Sequence, residues 1–223
     1  MRIVITAGGT REYIDPVRFI SNASSGRMGY ALARAALKAE HEVTLITAPT
    51  AQEPPEKARI VEVETAAEMF EAVKRHFRRC DCLIMAAAVA DYTPVRSSPA
   101  KLKKTGRILT IKLKLTRDIL KWAGAHKKGT QIVVGFALED KALRAGAEKK
   151  LREKNLDMIV GNPLGTIGAD RSTVHIMAPA LFAAEHAQTA WLAIENAAKS
   201  AIARKIIRLV ERIYDFRLMI RKS

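Results

Sequence analysis

Cysteine is nearly absent from this chain of 223 residues. Only Cys80 and Cys82 occur, one residue apart, with no cluster of histidine or further cysteine around them. Two thiols with no further ligand close by are a poor arrangement for a metal. Neither a zinc spacing nor Cys-x-x-Cys is present, so they read as reduced thiols in the core of a cytoplasmic protein. Aromatic residues are 5% of the chain, too few for a platform on which single-stranded nucleic acid would stack. No apolar run is long enough to span a bilayer, and Met1–Ala7 already reads as a strand, which leaves no room for a leader peptide. The dinucleotide fingerprint Gly-x-Gly-x-x-Gly and the phosphate loop ending Gly-Lys-Ser/Thr are both missing. The second strand ends Ile46-Thr47-Ala48-Pro49-Thr50, without the carboxylate that holds a dinucleotide ribose. Without a Tyr-x-x-x-Lys pair as well, hydride transfer is disfavoured.

What the chain has in excess is positive charge. The formal net charge is +15, with 38 Lys and Arg against 23 Asp and Glu. Such a balance points to anionic partners without separating nucleic acid from nucleotides or phosphorylated metabolites. Between Arg96 and Lys128 the chain places eleven Lys or Arg and one acid, Asp118. A second basic group, from Lys199 to Lys222, reads as a solvated helix face.

Hydrophobic residues make up 48% of the sequence, enough for a sizeable core in a single domain. Strand-length apolar runs recur at Arg2–Ala7, Glu42–Thr47, Arg59–Glu64, Leu83–Val89, Leu109–Leu115, Gln131–Phe136, Asp157–Val160 and Thr173–Met177. Several are continuous rather than alternating, as in strands buried on both faces. Helical spacing predicts helices over Arg27–Glu40, Ala66–Arg79, Asp140–Asn155 and, at the end, about Gln188–Tyr214. Strands alternating with helices predict an α/β fold, a Rossmann-like and mostly parallel sheet with helices on both faces. Two stretches break the rhythm. Residues 92–107, with Pro94, Pro99 and the start of the basic cluster, read as a mobile basic lid at the carboxyl edge of the sheet. Residues 161–172 read as an irregular loop.

The segment Asn22-Ala-Ser-Ser-Gly-Arg-Met-Gly29 carries the clearest chemistry. It stands where a helix begins, so unpaired backbone N–H groups and a partial positive charge can meet a phosphate. Ser24 or Ser25 is the expected helix cap. Asn22 lies outside the helix, and its amide offers donors and an acceptor to a bound polar group. At Ala86-Ala87-Ala88-Val89-Ala90-Asp91, small residues at a strand end either let a flat ring approach the backbone or accommodate a close-packed helix. Asp91 either adds an acceptor there or caps the turn. Lys101-Leu102-Lys103-Lys104 reads as solvated charge unless its place after Asp91 brings one lysine to a phosphate.

These pieces occur together in a known family. Ile5-Thr-Ala-Gly-Gly-Thr-Arg-Glu12, Ile14-Asp-Pro-Val-Arg-Phe-Ile-Ser-Asn22, Ser24-Ser-Gly-Arg-Met-Gly29, Ala87-Ala-Val-Ala-Asp-Tyr92, Lys101-Leu-Lys-Lys104 and Val134-Gly-Phe-Ala137 resemble phosphopantothenate–cysteine ligases. The resemblance runs from Met1 to about Asn162, and the Lys-x-Lys-Lys element is similar to the prokaryotic, CTP-using branch. The flavin-dependent decarboxylase that many bacteria fuse in front is not within these 223 residues; the resemblance leaves it either a separate polypeptide or a part of the protein ahead of this sequence. Arg27 stands where many relatives carry Lys. Thr116-Arg117 replaces a common Asn-Pro, and the stretch from Gly161-Asn-Pro163 to Asp170 departs from the usual Ala-Asn-Asp loop.

The resemblance implies that the carboxylate of 4′-phosphopantothenate attacks the α-phosphate of CTP with Mg²⁺. The cysteine amine then displaces CMP from the acyl-cytidylate, in a homodimer whose site lies near the subunit boundary. It assigns Lys101 to charge screening during activation and Asn22 to holding the acyl group. Ser24, Ser25, Gly26 and Arg27 would hold a substrate phosphate. Met85, Ala86, Ala87, Asp91 and Phe136 would recognise cytosine, and Arg117, Asp118, Ile119 and Leu120 would form a helix start for the triphosphate. Lys150 and Lys154 would make further nucleotide contacts; alone they read as a solvated helix face. Metal ligands are not identifiable. The rival reading is a non-catalytic nucleotide- or nucleic-acid-binding Rossmann-like protein. The few aromatics and the family motifs weigh against nucleic acid.

Overall fold

The computed structural model describes all residues except 107, 140–142, 164–169, 179–190 and 223. Its main sheet has eight strands. Strand β1 (Arg2–Ala7) runs parallel to β4 (Glu42–Thr47) on one side and to β6 (Cys82–Met85) on the other. Outside β4 lies β5 (Arg59–Glu62); outside β6 follow β9 (Ile132–Glu139) and β10 (Met158–Pro163), all parallel. The order β5-β4-β1-β6-β9-β10 reverses direction of travel between β1 and β6, the point where doubly wound sheets open a crevice for ligands. Beyond β10, β11 (Arg171–Met177) and β12 (Trp191–Ala198) complete the sheet antiparallel.

The continuous apolar runs are explained by two cores. In β6 every residue is buried. Cys82 and Ile84 face the side covered by helix α1 (Arg27–Lys38) and the terminal helix α5 (Lys199–Lys222), together with Leu32, Ile202 and Ile206. Leu83 and Met85 face α2 (Ala66–Phe77), α3 (Ile119–His126) and α4 (Leu143–Glu153), together with Met69, Ala123 and Leu151. Residues two apart on a strand share a face, but Cys80 lies ahead of β6, and the chain leading into the strand packs it in the second core while Cys82 packs in the first. Burial pushes the Cys80 thiol up to about 12, and neither thiol is exposed for reaction.

Local chemistry starts the helices. At α2, Thr65 accepts from the Glu68 amide at 3.1 Å while the Glu68 carboxylate takes the Thr65 amide. The buried carboxylate of Glu12 accepts from the Ala66 amide at 2.8 Å. At α3, Asp118 accepts from the Lys121 amide at 2.9 Å. Helix α1 approaches β1 closely: a Cβ on Gly29 would lie 2.5 Å from that of Ala7.

Two short antiparallel ribbons extend from the parallel sheet. One joins β2 (Arg11–Tyr13) to β3 (Phe19–Ser21), and the other joins β7 (Tyr92–Pro94) to β8 (Leu113–Leu115). Tyr92, Val95, Ile108, Leu109 and Leu115 are exposed along the second ribbon, Ile108 almost fully.

Four expectations change. The run Leu109–Leu115 is a strand only over its last three residues, because only those find a partner in β7. Residues 92–94 of the expected lid are that partner. The start of the expected loop, Gly161–Pro163, is the end of β10 and pairs with β9, while 164–169 lie outside the described residues. The expected last helix is a strand up to Ala198 and a helix only from Lys199. Trp191, Ile194 and Ala198 fit helical spacing, but β11 offers them an antiparallel edge, and that pairing overrides the period. Residues 188–190, 140–142 and Arg107 lie outside the described residues.

Candidate active site

A cavity of about 510 Å³ opens at the crevice between β1 and β6. Its floor is the Ala86–Val89 segment, fixed by main-chain and threonine bonds. Thr6 accepts from the Ala87 amide at 3.1 Å, and Thr10 accepts from the Ala90 amide at 2.9 Å. The Ala88 amide donates to the Gly8 carbonyl at 2.8 Å. No larger side chain intervenes, so a ligand there meets backbone directly. Met85 lies beneath, buried, its thioether 3.6 Å from the Thr6 hydroxyl.

One wall is the start of α1. Gly26 is the capping position, left-handed at φ 73°, with no side-chain cap bond. Neither serine caps the helix: Ser24 Oγ reaches only the Gly26 amide, at 3.4 Å. The expected cap is thus absent because the chain turns through glycine, and the helix start presents its N-terminal dipole to the cavity without a side-chain cap. Thr50 fixes the turn from behind, donating to the Ser25 carbonyl at 2.8 Å. Asn22 crosses the cavity mouth. Its Nδ2 donates to the carbonyls of Ala88 at 3.3 Å and Val89 at 3.1 Å, which leaves Oδ1 for a ligand.

The opposite wall comes from the ends of β9 and β10, through Phe136, Leu138 and Asn162. Asn162 Oδ1 is buried with no hydrogen-bond partner among the described residues, an acceptor awaiting a donor. Lys199, the first residue of α5, completes the lining.

The structure therefore brings Asn22, Ser24, Ser25, Gly26, Arg27, Ala86, Ala87, Asp91 and Phe136 to one cavity. A second group gathers beside it at α3. Thr116 bonds the carbonyls of Ala90 and Asp91, so α3 starts at the same edge of the sheet. There Asp118 pairs with Lys154 at 2.9 Å. Burial opposes ionisation of Asp118, but the Lys121 amide and the Lys154 ammonium outweigh it and hold its carboxyl below the usual range. Ile119 is core, Leu120 is half-buried, and Lys150 stands half-buried on α4. Arg117 lies over the Phe70 ring and 3.4 Å from Glu71, directed to α2.

Lys101 does not line the cavity; it is exposed. Its neighbour Leu102 is clamped, however. The Leu102 amide donates to buried Asp15 at 3.1 Å, and Arg18 donates to the Leu102 carbonyl at 2.8 Å. The Arg18 guanidinium, with the amides of Val17, Leu102 and Arg18, holds the Asp15 carboxyl well below the usual range against the effect of burial. Sequence reasoning missed Asn162 and Lys199. The first had a signal, its place at the carboxyl end of a parallel strand. The second had none, since it fell within a segment that reads as one long helix with a solvated basic face. Among the described residues no group of three or more His, Cys, Asp or Glu could hold a metal ion. No helix among them is long and apolar enough to cross a membrane.

Residues 1–214 match the family model described as the DNA/pantothenate metabolism flavoprotein C-terminal domain. The chain belongs to this family. It is 48% identical over 168 residues to the coenzyme A biosynthesis bifunctional protein CoaBC of Bacillus subtilis, covering 75% of this chain and 41% of that protein. A relative from an unknown prokaryotic organism, named cysteine/cysteine sulfinic acid decarboxylase, is 50% identical over 169 residues, covering 75% of this chain and 47% of that one. The chain thus spans less than half the length of these curated relatives. Among solved structures, the C-terminal domain of a CoaBC protein superposes with a TM-score of 0.79 at 37% identity. That match covers 100% of this chain and 96% of that one. The eight-stranded α/β architecture is therefore that of this C-terminal domain.

Proposed function

We propose that this chain is a CTP-dependent phosphopantothenate–cysteine ligase, which joins 4′-phosphopantothenate and L-cysteine in coenzyme A biosynthesis. One observation carries the reading. Asn22, the uncapped Ser-Ser-Gly-Arg turn, the alanine floor and Asp91, dispersed in sequence, converge on a single cavity at the topological switch point.

The chemistry fits these groups. The first step brings a carboxylate to a triphosphate; its transition state gathers negative charge, so cationic and N–H donors that act there lower the barrier. The α1 N-terminus and Arg27 supply such donors for a phosphate. Lys101 supplies a further charge once its segment moves over the nucleotide, pivoting on the clamped Leu102. The alanine floor and Phe136 accept the flat cytosine, with Asp91 and Asn162 Oδ1 as acceptors for its amino group. Arg117 to Leu120, with Lys150 and Lys154, take the triphosphate at α3. In the second step Asn22, uncharged and tied to the floor, holds the acyl-cytidylate carbonyl for attack by the cysteine amine.

A magnesium ion accompanies a triphosphate in this reading. The described residues offer it no cluster of ligands, so no residue of this chain is assigned to it and no step is routed through it. The exposed apolar side chains Ile108, Leu109 and Leu115 support a homodimer formed through the β7–β8 ribbon. A cytoplasmic location accords with the reaction.

The test mixes the protein with phosphopantothenate, cysteine, Mg²⁺ and either CTP or ATP, and follows pyrophosphate. Release with CTP that requires phosphopantothenate is expected. No release with any nucleotide refutes the reading. Binding that depends steeply on salt but not on base identity would favour a nucleic-acid-binding role for the +15 charge.

A further inference from the structure

Lys199 reaches the cavity because α5 packs along α1, so the starts of the two helices stand side by side. Arg27, at the start of α1, forms an ion pair through Nη1 with Asp170 Oδ1. The Lys199 amide donates to the Asp170 carbonyl at 3.4 Å. Two cations from two helix starts therefore stand at the cavity rim, Arg27 paired with the Asp170 carboxylate and Lys199 tied to the same residue through its backbone. Burial and the neighbouring Arg27 charge push the Lys199 ammonium down, and Asp170 acts against both. Gathering two cations is unfavourable unless an anion sits between them.

Asp170 is a weakly held anion. Its side chain is 88% exposed and that of Arg27 42%. An exposed pair of this kind shifts an equilibrium by no more than about fivefold. A phosphate brings a charge near −2 and three acceptor oxygens. It would meet Arg27, Lys199 and the positive end of the α1 dipole together.

We propose that Arg27 and Lys199 form a two-cation seat for a substrate phosphate, and that Asp170 occupies this seat as a placeholder which the phosphate displaces. The seat deepens the ligase reading, on which it rests only for the identity of the phosphate. Two of the three substrates of that reaction carry one, the nucleotide and phosphopantothenate. The placeholder sets a threshold: a single carboxylate gains little over Asp170, whereas a dianion displaces it.

Calorimetric titration with inorganic pyrophosphate tests the seat without needing turnover. Asp170→Asn is expected to tighten binding about fivefold, and Lys199→Ala to weaken it roughly tenfold, the loss of one charge-assisted bond. Lys199→Arg should retain it. Two controls carry the same charge changes elsewhere: Asp215→Asn, about 24 Å along α5 from Lys199, and Lys57→Ala, ahead of β5 at the amino edge of the sheet. Both should leave binding unchanged. Repeating the series with CTP and with 4′-phosphopantothenate identifies the natural occupant as the ligand whose affinity moves. The proposal is overturned if the wild type fails to bind pyrophosphate, or if Asp170→Asn shifts none of the three ligands more than its control. Asp170 is exposed, so that variant keeps the test valid even if Lys199→Ala does not fold. A seat that binds pyrophosphate in a protein with no CTP turnover would stand while the ligase reading fell.

Discussion

Replacing Gly29 by alanine tests whether the depth at which α1 meets β1 sets the geometry of the site. The added Cβ would lie 2.5 Å from Ala7 Cβ and 2.9 Å from the Thr6 carbonyl oxygen. Carbon atoms in contact stay about 3.5–4.0 Å apart, so α1 must retreat by roughly 1 Å or β1 must give way. Ala7 and Thr6 are buried, Thr6 paired with strands on both sides and Ala7 with β4, so the helix is the element that moves. Overpacking of this kind costs about 1–3 kcal/mol, or roughly 2–12 °C of melting temperature in a domain of this size. The retreating end carries Gly26 and Arg27. A displacement near 1 Å at a reacting group costs about a hundredfold in rate, so kcat/KM for pyrophosphate release should fall by about that factor. Thermal melting and the release assay read the two effects separately. Adding Ala7→Gly removes the nearer clash and should recover most of the stability and part of the activity. A Gly29→Ala protein that melts and turns over like the wild type would falsify the claim that this approach positions the site. So would a double variant no better than the single one.

The roles of Asn22 and Lys101 separate in single-turnover experiments. Asn22→Asp sets a carboxylate against the Ala88 and Val89 carbonyls in place of two donated bonds; the acyl-cytidylate should form and persist. Lys101→Gln, at an exposed side chain, should leave melting unchanged while abolishing pyrophosphate release; equal rates in both variants would refute the division. Asp157, buried, accepts from Lys127 at 2.7 Å, from the Val133 amide at 2.7 Å and from Arg217. Asp157→Ala leaves two cations without their anion and should cost about 3–5 kcal/mol in denaturant titration; a loss below about 1 kcal/mol would contradict that network. The native protein should resist thiol reagents at pH 8, and both cysteines should react only on unfolding. Because the Cys80 thiol is held protonated up to about 12, its contribution to stability is complete below the ordinary thiol range near pH 8.5. It declines as pH rises from there towards 12; rapid labelling of folded protein would refute this.

The parallel half of the fold was legible because its strands are buried on both faces and need continuous apolar runs, as β6 shows. The antiparallel end was not. Trp191–Ala198 carries apolar residues compatible with either period, and only the edge of β11 decides between them. The ribbons were hidden for another reason: β2, β3, β7 and β8 are three residues each, too short for any pattern. At the site, the motif residues from Asn22 to Arg27 were readable as an anion-binding helix start. The role of glycine as the cap was not, since Ser24 and Ser25 are the better capping types. What displaced them is a left-handed turn seen only in the backbone. The remoteness of Lys101 from the cavity was equally invisible, because the Asp15 and Arg18 clamp on Leu102 joins residues more than eighty positions apart.

The two halves of the site differ in how firmly they are held, and a two-step reaction needs that difference. Asn22, the alanine floor and the α1 turn are tied by main-chain, threonine and asparagine bonds. An acyl group must keep its place on such a frame while the attacking group changes from carboxylate to amine. Charge, by contrast, must change between the steps, since pyrophosphate leaves after the first. The side chains that would answer that change are those held loosely: Lys101 is exposed beyond its clamped neighbour, and Arg27 bears an exposed, exchangeable counter-ion in Asp170. If the frame and the charges are separable in this way, raising ionic strength should slow formation of the acyl-cytidylate far more than its capture by cysteine. Parallel slowing of both steps would place the charged groups in the frame itself.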